Sequence, residues 1–256
     1  MKRIRVEISR GIGRITLARA EKKNALDQLA AEELTAALEQ LDADPSVHVV
    51  LLDADGEDFC AGADLTALED TLNAGAEAHQ RDAESLGRVF TTMREMSRPV
   101  VAAVRGRALA GGAGLATACD IVLAEETARF AYPEVRLGFV PAMVMTMLRR
   151  VAGERRAFEL VATGRQIDAR EALDIGLVSR VLPAADFARQ VNDIVARIAE
   201  SPPGALAFIK RLYYALDGRS FRDSLALGAA TNVEARATDE FRNGVRRFLA
   251  RHGGSP

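Results

Sequence analysis

The sequence has few of the residues on which metal, disulfide and thiol chemistry depend. Its 256 residues include two cysteines, Cys60 and Cys119, three histidines and no tryptophan. Two cysteines in a chain of this size are typical of small buried apolar residues rather than of a disulfide framework or a metal site. The histidines, His48, His79 and His252, lie far apart without ligand spacing. We therefore expect neither a metal site nor a histidine-based nucleophilic triad.

Long apolar runs and an excess of one charge are also missing. No stretch approaches the roughly 20 apolar residues that span a bilayer, so we expect no membrane partner. Residues 1–10 lack the apolar core of a signal peptide, which makes a cytoplasmic location the expectation. The formal net charge is −2, and the basic residues are scattered and matched by acids. This balance argues against a nucleic-acid partner.

The order of the periodic segments predicts an α/β fold with parallel sheet character and a helical C-terminal piece. Apolar runs predict strands at residues 4–8, 13–17, 48–52, 99–104, 121–124 and 128–132. Helical spacing predicts helices at 27–41, within 65–96 and at 108–118, and a mainly helical chain beyond Pro141. The Ser-Pro-Pro-Gly run at 201–204 marks a boundary, followed by two or three helices from 205 to 250.

Two small-residue segments each follow a predicted strand. Residues 59–65 read Phe-Cys-Ala-Gly-Ala-Asp-Leu, and residues 106–115 read Gly-Arg-Ala-Leu-Ala-Gly-Gly-Ala-Gly-Leu. Glycine and alanine permit close backbone approach, and a helix beginning near Gly111 would point free N–H groups outward. Two N–H groups that converge on one oxygen form an oxyanion hole. Taken alone, each segment is more often a site of tight packing.

These segments occur together with three others in a particular order. They are Lys-Asn-Ala-Leu at 23–26, Pro-Glu-Val-Arg-Leu-Gly-Phe-Val-Pro at 133–141, and Thr-Gly at 163–164 followed by 169–177. In this order and spacing, nearly the whole chain resembles the crotonase superfamily, the enoyl-CoA hydratase/isomerase family. The resemblance implies a crotonase-type ββα spiral core with a CoA-thioester site in residues 1–200. It also implies a helical oligomerisation region in residues 201–256, so we expect a homotrimer or a dimer of trimers (a homohexamer).

The resemblance also assigns roles to residues. The substrate would be an acyl-CoA thioester, with coenzyme A as part of the substrate and no separate cofactor. The two oxyanion donors fall on the backbone N–H groups of Ala63 and Gly111. The path of the CoA adenine and pantetheine falls to the following residues: Ala61, Asp64, Leu65 and Lys23.

One catalytic position departs from the family pattern. The family's hydratases use two glutamates; one is present as Glu134, but the other is replaced by Gly114. Hydration needs one group to activate water and one to protonate the α carbon, so Gly114 favours a double-bond shift by one carboxylate. Residues 110–116 and 134–142, however, resemble a bacterial subgroup of enoyl-CoA or methylglutaconyl-CoA hydratases that carries the same glycine. Ala142 stands where dienoyl-CoA isomerases carry an aspartate, which argues against that reaction.

Several functions therefore remain open. Hydration of a 2-enoyl-CoA through an oxyanion-stabilised enolate is our first expectation, and isomerisation of a 3-enoyl-CoA to a 2-enoyl-CoA is the second. Another crotonase reaction, thioester hydrolysis or dehalogenation, is the third, and a non-catalytic acyl-CoA binder is the rival from a different class. If Glu134 were buried, its pKa should rise, which suits proton transfer near neutral pH. An acid within 66–90 could replace the missing glutamate, and the sequence does not choose among the candidates: Glu69, Asp70, Glu77, Asp82 and Glu84. Met143, Met145 and Met147 either shape the acyl pocket or are plain core residues, so the sequence does not define the acyl chain.

Overall fold

Nine β-strands form the framework of the fold in the computed structural model, which describes residues 3–252. They are β1 Ile4–Ser9, β2 Ile12–Leu17, β3 Val49–Ala54, β4 Val100–Val104, β5 Arg107–Leu109, β6 Ile121–Glu125, β7 Arg129–Ala131, β8 Gln166–Asp168 and β9 Arg180–Leu182. Six of them make one sheet in the order β1-β2-β3-β4-β6-β9, and three make a smaller sheet in the order β5-β7-β8. The terminal limits predicted at 1 and 256 lie outside the described residues, and the division at 200 stays a prediction.

The larger sheet is parallel apart from its first hairpin. Strands β1 and β2 pair antiparallel around a turn at Arg10 and Gly11, whose φ angles are +51° and +79°. Every later pair in this sheet is parallel. Strands β3 and β4 are almost wholly apolar because both of their faces are buried, as in other parallel sheets. The predicted parallel α/β character is confirmed.

Helices cover the two sheets. They are α1 Gln28–Ala43, α2 Leu65–Thr71, α3 Ala76–Glu95, α4 Gly111–Ala118, α5 Ala142–Ala152, α6 Glu154–Thr163, α7 Ala169–Asp174, α8 Phe187–Ala199, α9 Pro203–Ala215, α10 Phe221–Arg236 and α11 Asp239–His252. A 3-10 helix, Pro133–Leu137, follows β7. Asp27 begins α1 by accepting a hydrogen bond from the Ala30 N–H, as expected of a helix N-cap.

The period of two along β3 sorts its side chains between two cores. Val50 and Leu52 point into the main core, whose other members include residues of α1, α3 and α4. Val49 and Leu51 point to the opposite face, where they pack against α8. The larger sheet is therefore a layer between helices. The start of α4 is held on its main-core side.

The structure corrects two sequence predictions. The helix predicted at 108–118 is wrong at its start, since Arg107–Leu109 forms β5 and α4 begins only at Gly111. The helical stretch predicted within 65–96 is two helices, because the chain leaves helical geometry between Leu72 and Gly75. The chain beyond Pro141 is mainly helical, as predicted, apart from the three-residue strands β8 and β9.

The first C-terminal helix, α9, is fastened to the rest of the fold by a buried cation. Lys210 is 5% exposed, and its Nζ donates to the Met93 and Arg98 carbonyl oxygens and to the Asp120 carboxylate. The Tyr214 hydroxyl donates to the other oxygen of Asp120 at 2.6 Å. Large apolar side chains on α9, α10 and α11 are nevertheless exposed in the single chain, among them Ile209, Phe221, Leu225, Val233 and Phe248. The expected trimer or hexamer stays a prediction.

Within residues 3–252, no helix combines the length and the apolar character that crossing a bilayer requires.

Candidate active site

The two small-residue segments lie in contact, as the sequence predicts. Cys60 pairs with Ala108 in a short parallel bridge, in which the Leu109 N–H donates to the Cys60 carbonyl at 2.9 Å. A Cβ added to Gly112 would lie 2.6 Å from the Cys60 Cβ, so only glycine lets α4 start this close to Cys60. Gly62 has φ +96°, and a Cβ added to it would lie 2.8 Å from the Cβ of Ala110.

The N–H of Ala63 points away from the neighbouring segment, which contains Leu26. In the bridge between Leu26 and Ala63, the Leu26 N–H donates to the Gly62 carbonyl at 2.7 Å, and the Asp64 N–H donates to the Leu26 carbonyl at 2.8 Å. Successive N–H groups of an extended segment alternate in direction, so that of Ala63 faces the opposite side. Among residues 3–252, it has no backbone acceptor. Because Ala63 is exposed, a ligand oxygen can reach it.

The N–H of Gly111 is the first of helix α4. First-turn N–H groups have no acceptor within their own helix, and in the described part of the chain no other backbone acceptor takes this one. The Cβ position of Gly62 lies 3.6 Å from the Gly111 nitrogen, which brings the two segments together at this point. Gly111 is half-buried. The two N–H groups assigned to the oxyanion hole are thus both available from adjacent segments.

Backbone strain at Ala110 sets the direction of the Gly111 N–H. Ala110 has φ +50° and ψ −123°, a conformation that costs a residue with a Cβ about 1 to 3 kcal/mol. Its own N–H donates to the Ala131 carbonyl at 2.8 Å, which continues the pairing of β5 with β7. The pairing therefore holds the peptide that precedes α4 in a conformation that a free chain would avoid.

Glu134 emerges at the same sheet edge as Gly111. Strands β5 and β7 are parallel neighbours, and Gly111 and Glu134 follow their respective carboxyl ends. Glu134 is 8% exposed, and its Oε2 is buried without a hydrogen-bond partner in the described structure. Burial raises the pKa of this carboxyl above its ordinary value, and a hydrogen bond from its own backbone N–H opposes the rise only in part. The raised pKa makes Glu134 a stronger base than an ordinary carboxylate, which suits a group that takes up a proton and returns it.

Space beside Gly114 is occupied by other side chains. A Cβ added to Gly114 would lie 2.5 Å from Val144 Cγ2 and 3.4 Å from Phe90 Cζ. Val144 and Phe90 are buried, at 3% and 8% exposure. Gly114 lies three residues beyond Gly111, on the same side of α4. A glutamate at this position would have no room for its first carbon.

Further apolar side chains extend from Val144 and Phe90 toward the surface. The Cβ position of Gly111 is 4.0 Å from Leu86 Cδ2, and that of Gly87 is 3.4 Å from Met143 Sδ. Leu86 and Met143 are partly buried, whereas Met145 is 39% exposed. Helices α3, α4 and α5 thus place an apolar surface beside the two N–H groups.

The residues assigned to the CoA path lie around the start of α2. Leu65 is 66% exposed, and Lys23 is exposed while its carbonyl accepts from the Ala61 N–H at 3.0 Å. Asp64 is 8% exposed and faces inward, where its carboxylate accepts from the Arg19 guanidinium and from the Thr66 N–H. The structure therefore places Leu65 and Lys23 at the surface and Asp64 below it. Their roles in CoA binding stay predictions.

Sequence reasoning missed Asn24. This residue is 2% exposed and has φ +54°. Its Oδ1 accepts from the Arg19 N–H, and its Nδ2 donates to the Asp55 and Asp58 carbonyls at 2.8 and 2.9 Å. Asn24 thereby joins the segment before α1 to the segment that leads into Cys60. Asparagine is among the residues enriched at positive φ, but no periodicity in the sequence signals it.

The five acids considered as substitutes for the missing glutamate are all exposed on α2 and α3: Glu69, Asp70, Glu77, Asp82 and Glu84. One of them, Asp82, lies one turn before Leu86 and therefore on the same side of α3 as Leu86 and Phe90.

Comparison with known proteins identifies the family. The chain has an α/β fold with two free N–H groups and a buried carboxylate at one sheet edge, the arrangement of a crotonase-type protein. The family model described as enoyl-CoA hydratase/isomerase matches residues 7–253. The chain therefore belongs to the enoyl-CoA hydratase/isomerase family, within the crotonase superfamily.

Relatives and solved structures extend over almost the whole chain. A Thermus thermophilus protein, provisionally named an enoyl-CoA hydratase, is 40% identical over 245 residues, which are 95% of this chain and 97% of the relative. The crystal structure of an enoyl-CoA hydratase from Mycobacterium smegmatis has a TM-score of 0.92 at 29% identity, with 97% of this chain and 96% of that chain covered. Human enoyl-CoA hydratase domain-containing protein 3 has a TM-score of 0.93 at 27% identity, with coverage of 97% and 98%.

Proposed function

We propose that the protein adds water to a 2-enoyl-CoA thioester, with Glu134 as its single acid–base group. The observation that carries this proposal is the buried Oε2 of Glu134, which has no partner in the described structure and lies at the sheet edge of Gly111. A buried carboxyl with a raised pKa exchanges protons near neutral pH more readily than an exposed one. The name shared by the relatives also supports hydration.

The proposed reaction has two proton transfers through Glu134. As the water oxygen bonds to C3 of the substrate, Glu134 takes a proton from that water. The electron pair of the double bond moves toward the thioester, whose oxygen becomes negative and accepts hydrogen bonds from the Ala63 and Gly111 N–H groups. Glu134 then returns its proton to C2, so that one water has been added and the carboxylate is restored. A single missing donor in such an oxyanion hole typically costs about 3 to 4 kcal/mol of transition-state stabilisation.

Isomerisation of a 3-enoyl-CoA is the second candidate, and the closed space beside Gly114 favours it. Val144 and Phe90 crowd the Cβ position of residue 114, where the family's hydratases carry their second glutamate. A single carboxylate can remove a proton from C2 and return it to C4 through the same stabilised enolate. Isomerisation therefore requires only the groups that are present.

Further parts of the proposal follow from the family. The ligand is an acyl-CoA thioester, coenzyme A enters as part of the substrate, and no separate cofactor takes part. A homotrimer or a dimer of trimers and a cytoplasmic location remain predictions from the sequence.

Parallel assays with crotonyl-CoA and a 3-enoyl-CoA test the proposal. Loss of the conjugated enoyl absorbance from crotonyl-CoA, with a product heavier by one water, supports hydration. Appearance of that absorbance from the 3-enoyl-CoA, without loss from crotonyl-CoA, replaces hydration by isomerisation. Tight binding of both thioesters without either reaction would show a non-catalytic acyl-CoA binder.

The variant Asp82→Asn tests whether an acid on α3 shares the work of Glu134. Unchanged hydration in Asp82→Asn, beside loss in Glu134→Gln, fits a single acid–base group. Equal loss in both variants would assign water activation to Asp82.

A further inference from the structure

The Arg19 guanidinium is a planar, half-buried fork beside the candidate site. One of its nitrogens donates to the Ala25 carbonyl and to the Asp27 carboxylate, both at 2.9 Å. The other donates to the Asp64 carboxylate at 2.9 Å. The side chains of Arg19 and Asp64 are only 11% and 10% exposed. Water therefore competes weakly for these bonds, and the planar fork fixes the distance between its partners.

The partners of this fork flank the bridge that holds Ala63. Leu26 donates to the Gly62 carbonyl, and Asp64 donates to the Leu26 carbonyl. Arg19 thus joins the residues on either side of Leu26 to the residue after Ala63, across the same two chain segments. Backbone hydrogen bonds join these segments from the Ala61 N–H, which donates to the Lys23 carbonyl, up to Asp64, and Arg19 adds the side-chain connection on the far side of Ala63.

The positive charge of Arg19 also stabilises the two carboxylates that it contacts. Burial would raise the pKa of the Asp64 carboxyl, but hydrogen bonds from Arg19 and the Thr66 N–H outweigh burial and leave the pKa below its ordinary value. The pKa of Asp27 is also lowered, since hydrogen bonds from Arg3 and the Ala30 N–H and the charge of Arg19 outweigh its burial. Both carboxylates are therefore negative at neutral pH. Without Arg19, Asp64 loses the guanidinium that pairs with it, whereas Asp27 keeps its ion pair with Arg3 at 2.9 Å.

We propose that Arg19 is a positioning residue, which holds the Ala63 N–H at the thioester oxygen by clamping the segments on both sides of it. This inference rests on the proposed oxyanion role of Ala63. Arg19 itself touches no substrate atom in this role. A shift of Ala63 would weaken the bond that grows strongest as the enolate forms, so kcat should fall while KM changes little.

Substitution of Arg19 by lysine and by methionine separates the role of the forked geometry from that of the positive charge. Arg19→Lys keeps the positive charge but cannot fork to both carboxylates, and Arg19→Met removes the charge. We expect kcat to fall by about 10²-fold in Arg19→Lys, since a displacement near 1 Å can cost this much, and further in Arg19→Met. The matched control is Arg14→Lys on the same strand region, where Arg14 contacts Asp53 and Asn192 away from the site. The control should keep the wild-type kcat.

A spectroscopic readout distinguishes positioning from loss of stability. An arylacryloyl-CoA with a long conjugated chain absorbs at a longer wavelength when hydrogen bonds polarise its thioester carbonyl. Bound to Glu134→Gln, which should not turn it over, this probe should show the shift, and Arg19→Lys in the same background should reduce it while still binding. A full shift together with wild-type kcat in the folded Arg19→Lys variant would overturn the positioning role. Absence of the shift in Glu134→Gln itself, with the probe bound, would instead overturn the oxyanion role of Ala63 and the proposed function. If Arg19→Met does not fold, Arg19→Lys alone decides.

Discussion

Replacement of Gly114 by alanine should lower stability in the wild-type background and raise it once Val144 is truncated. The new Cβ would lie 2.5 Å from Val144 Cγ2, a separation that folded proteins do not tolerate. Overpacking of this kind costs about 1 to 3 kcal/mol. Alanine in place of glycine inside a helix regains about 1 kcal/mol. The expected net change for Gly114→Ala is therefore a loss of about 0 to 2 kcal/mol.

The variant Val144→Ala removes the obstacle. It deletes two methyl groups from a side chain that is 3% exposed, which should cost about 2 kcal/mol including the cavity. The nearest remaining atoms then lie 3.4 and 3.5 Å from the new Cβ, at ordinary contact distance. Gly114→Ala made in the Val144→Ala background should therefore stabilise the fold by about 1 kcal/mol. The coupling between the two positions is expected to be about 1 to 3 kcal/mol.

Urea unfolding of the wild type, both single variants and the double variant measures this coupling. All four should be compared at one protein concentration, since association would shift the midpoints. Gly228→Ala is the matched control, because Gly228 lies inside α10 with no atom within 4 Å of its Cβ position. It should gain stability without help from a second change. Additivity of the two variants within about 0.5 kcal/mol would refute the claim that Val144 fills the space beside Gly114.

Three further predictions concern the buried polar groups. Glu134→Gln should be more stable than wild type at neutral pH, because the raised pKa of Glu134 means that its ionisation costs the folded state stability as pH rises. When unfolding is followed from pH 3 to pH 8, this advantage should vanish in acid, below the ordinary carboxyl pKa. Lys210→Met should lower the free energy of unfolding by at least about 2 kcal/mol, because the half-buried Asp120 carboxylate loses its cation, and an unchanged midpoint in urea would contradict this. Asn24→Asp keeps a residue that tolerates positive φ but loses two donated hydrogen bonds, so it should lower the free energy of unfolding by at least about 2 kcal/mol. A wild-type melting temperature would show that these hydrogen bonds do not stabilise the fold.

The parts of the fold that could be predicted are those with a clear period. The apolar runs of β3 and β4 and the helical spacing of α1 lie within two residues of their predicted positions. Strand β5 was missed because alanine and leucine favour helices, and only pairing with β7, 22 residues later, makes these residues a strand. Strands β8 and β9 are too short to show a period.

The candidate site could also be predicted only in part. Ala63, Gly111 and Glu134 could be assigned from a resemblance between ordered motifs, and the absence of a glutamate at Gly114 was visible in the sequence. The filling of that space by Val144 was not, since it depends on how α5 crosses α4. The clamp of Arg19 on Asp27 and Asp64 was also missed, because scattered charges indicate a solvated surface until the fold buries them.

In the proposed function, Glu134 moves the proton during hydration of an enoyl thioester. The most direct test follows the ultraviolet absorbance of crotonyl-CoA with wild type beside Glu134→Gln, after equal folding and equal thioester binding have been verified. The proposal predicts loss of the enoyl absorbance with wild type and a rate at least about 10²-fold lower with Glu134→Gln. Hydration at an unimpaired rate in Glu134→Gln would contradict the assignment and require another acid–base group.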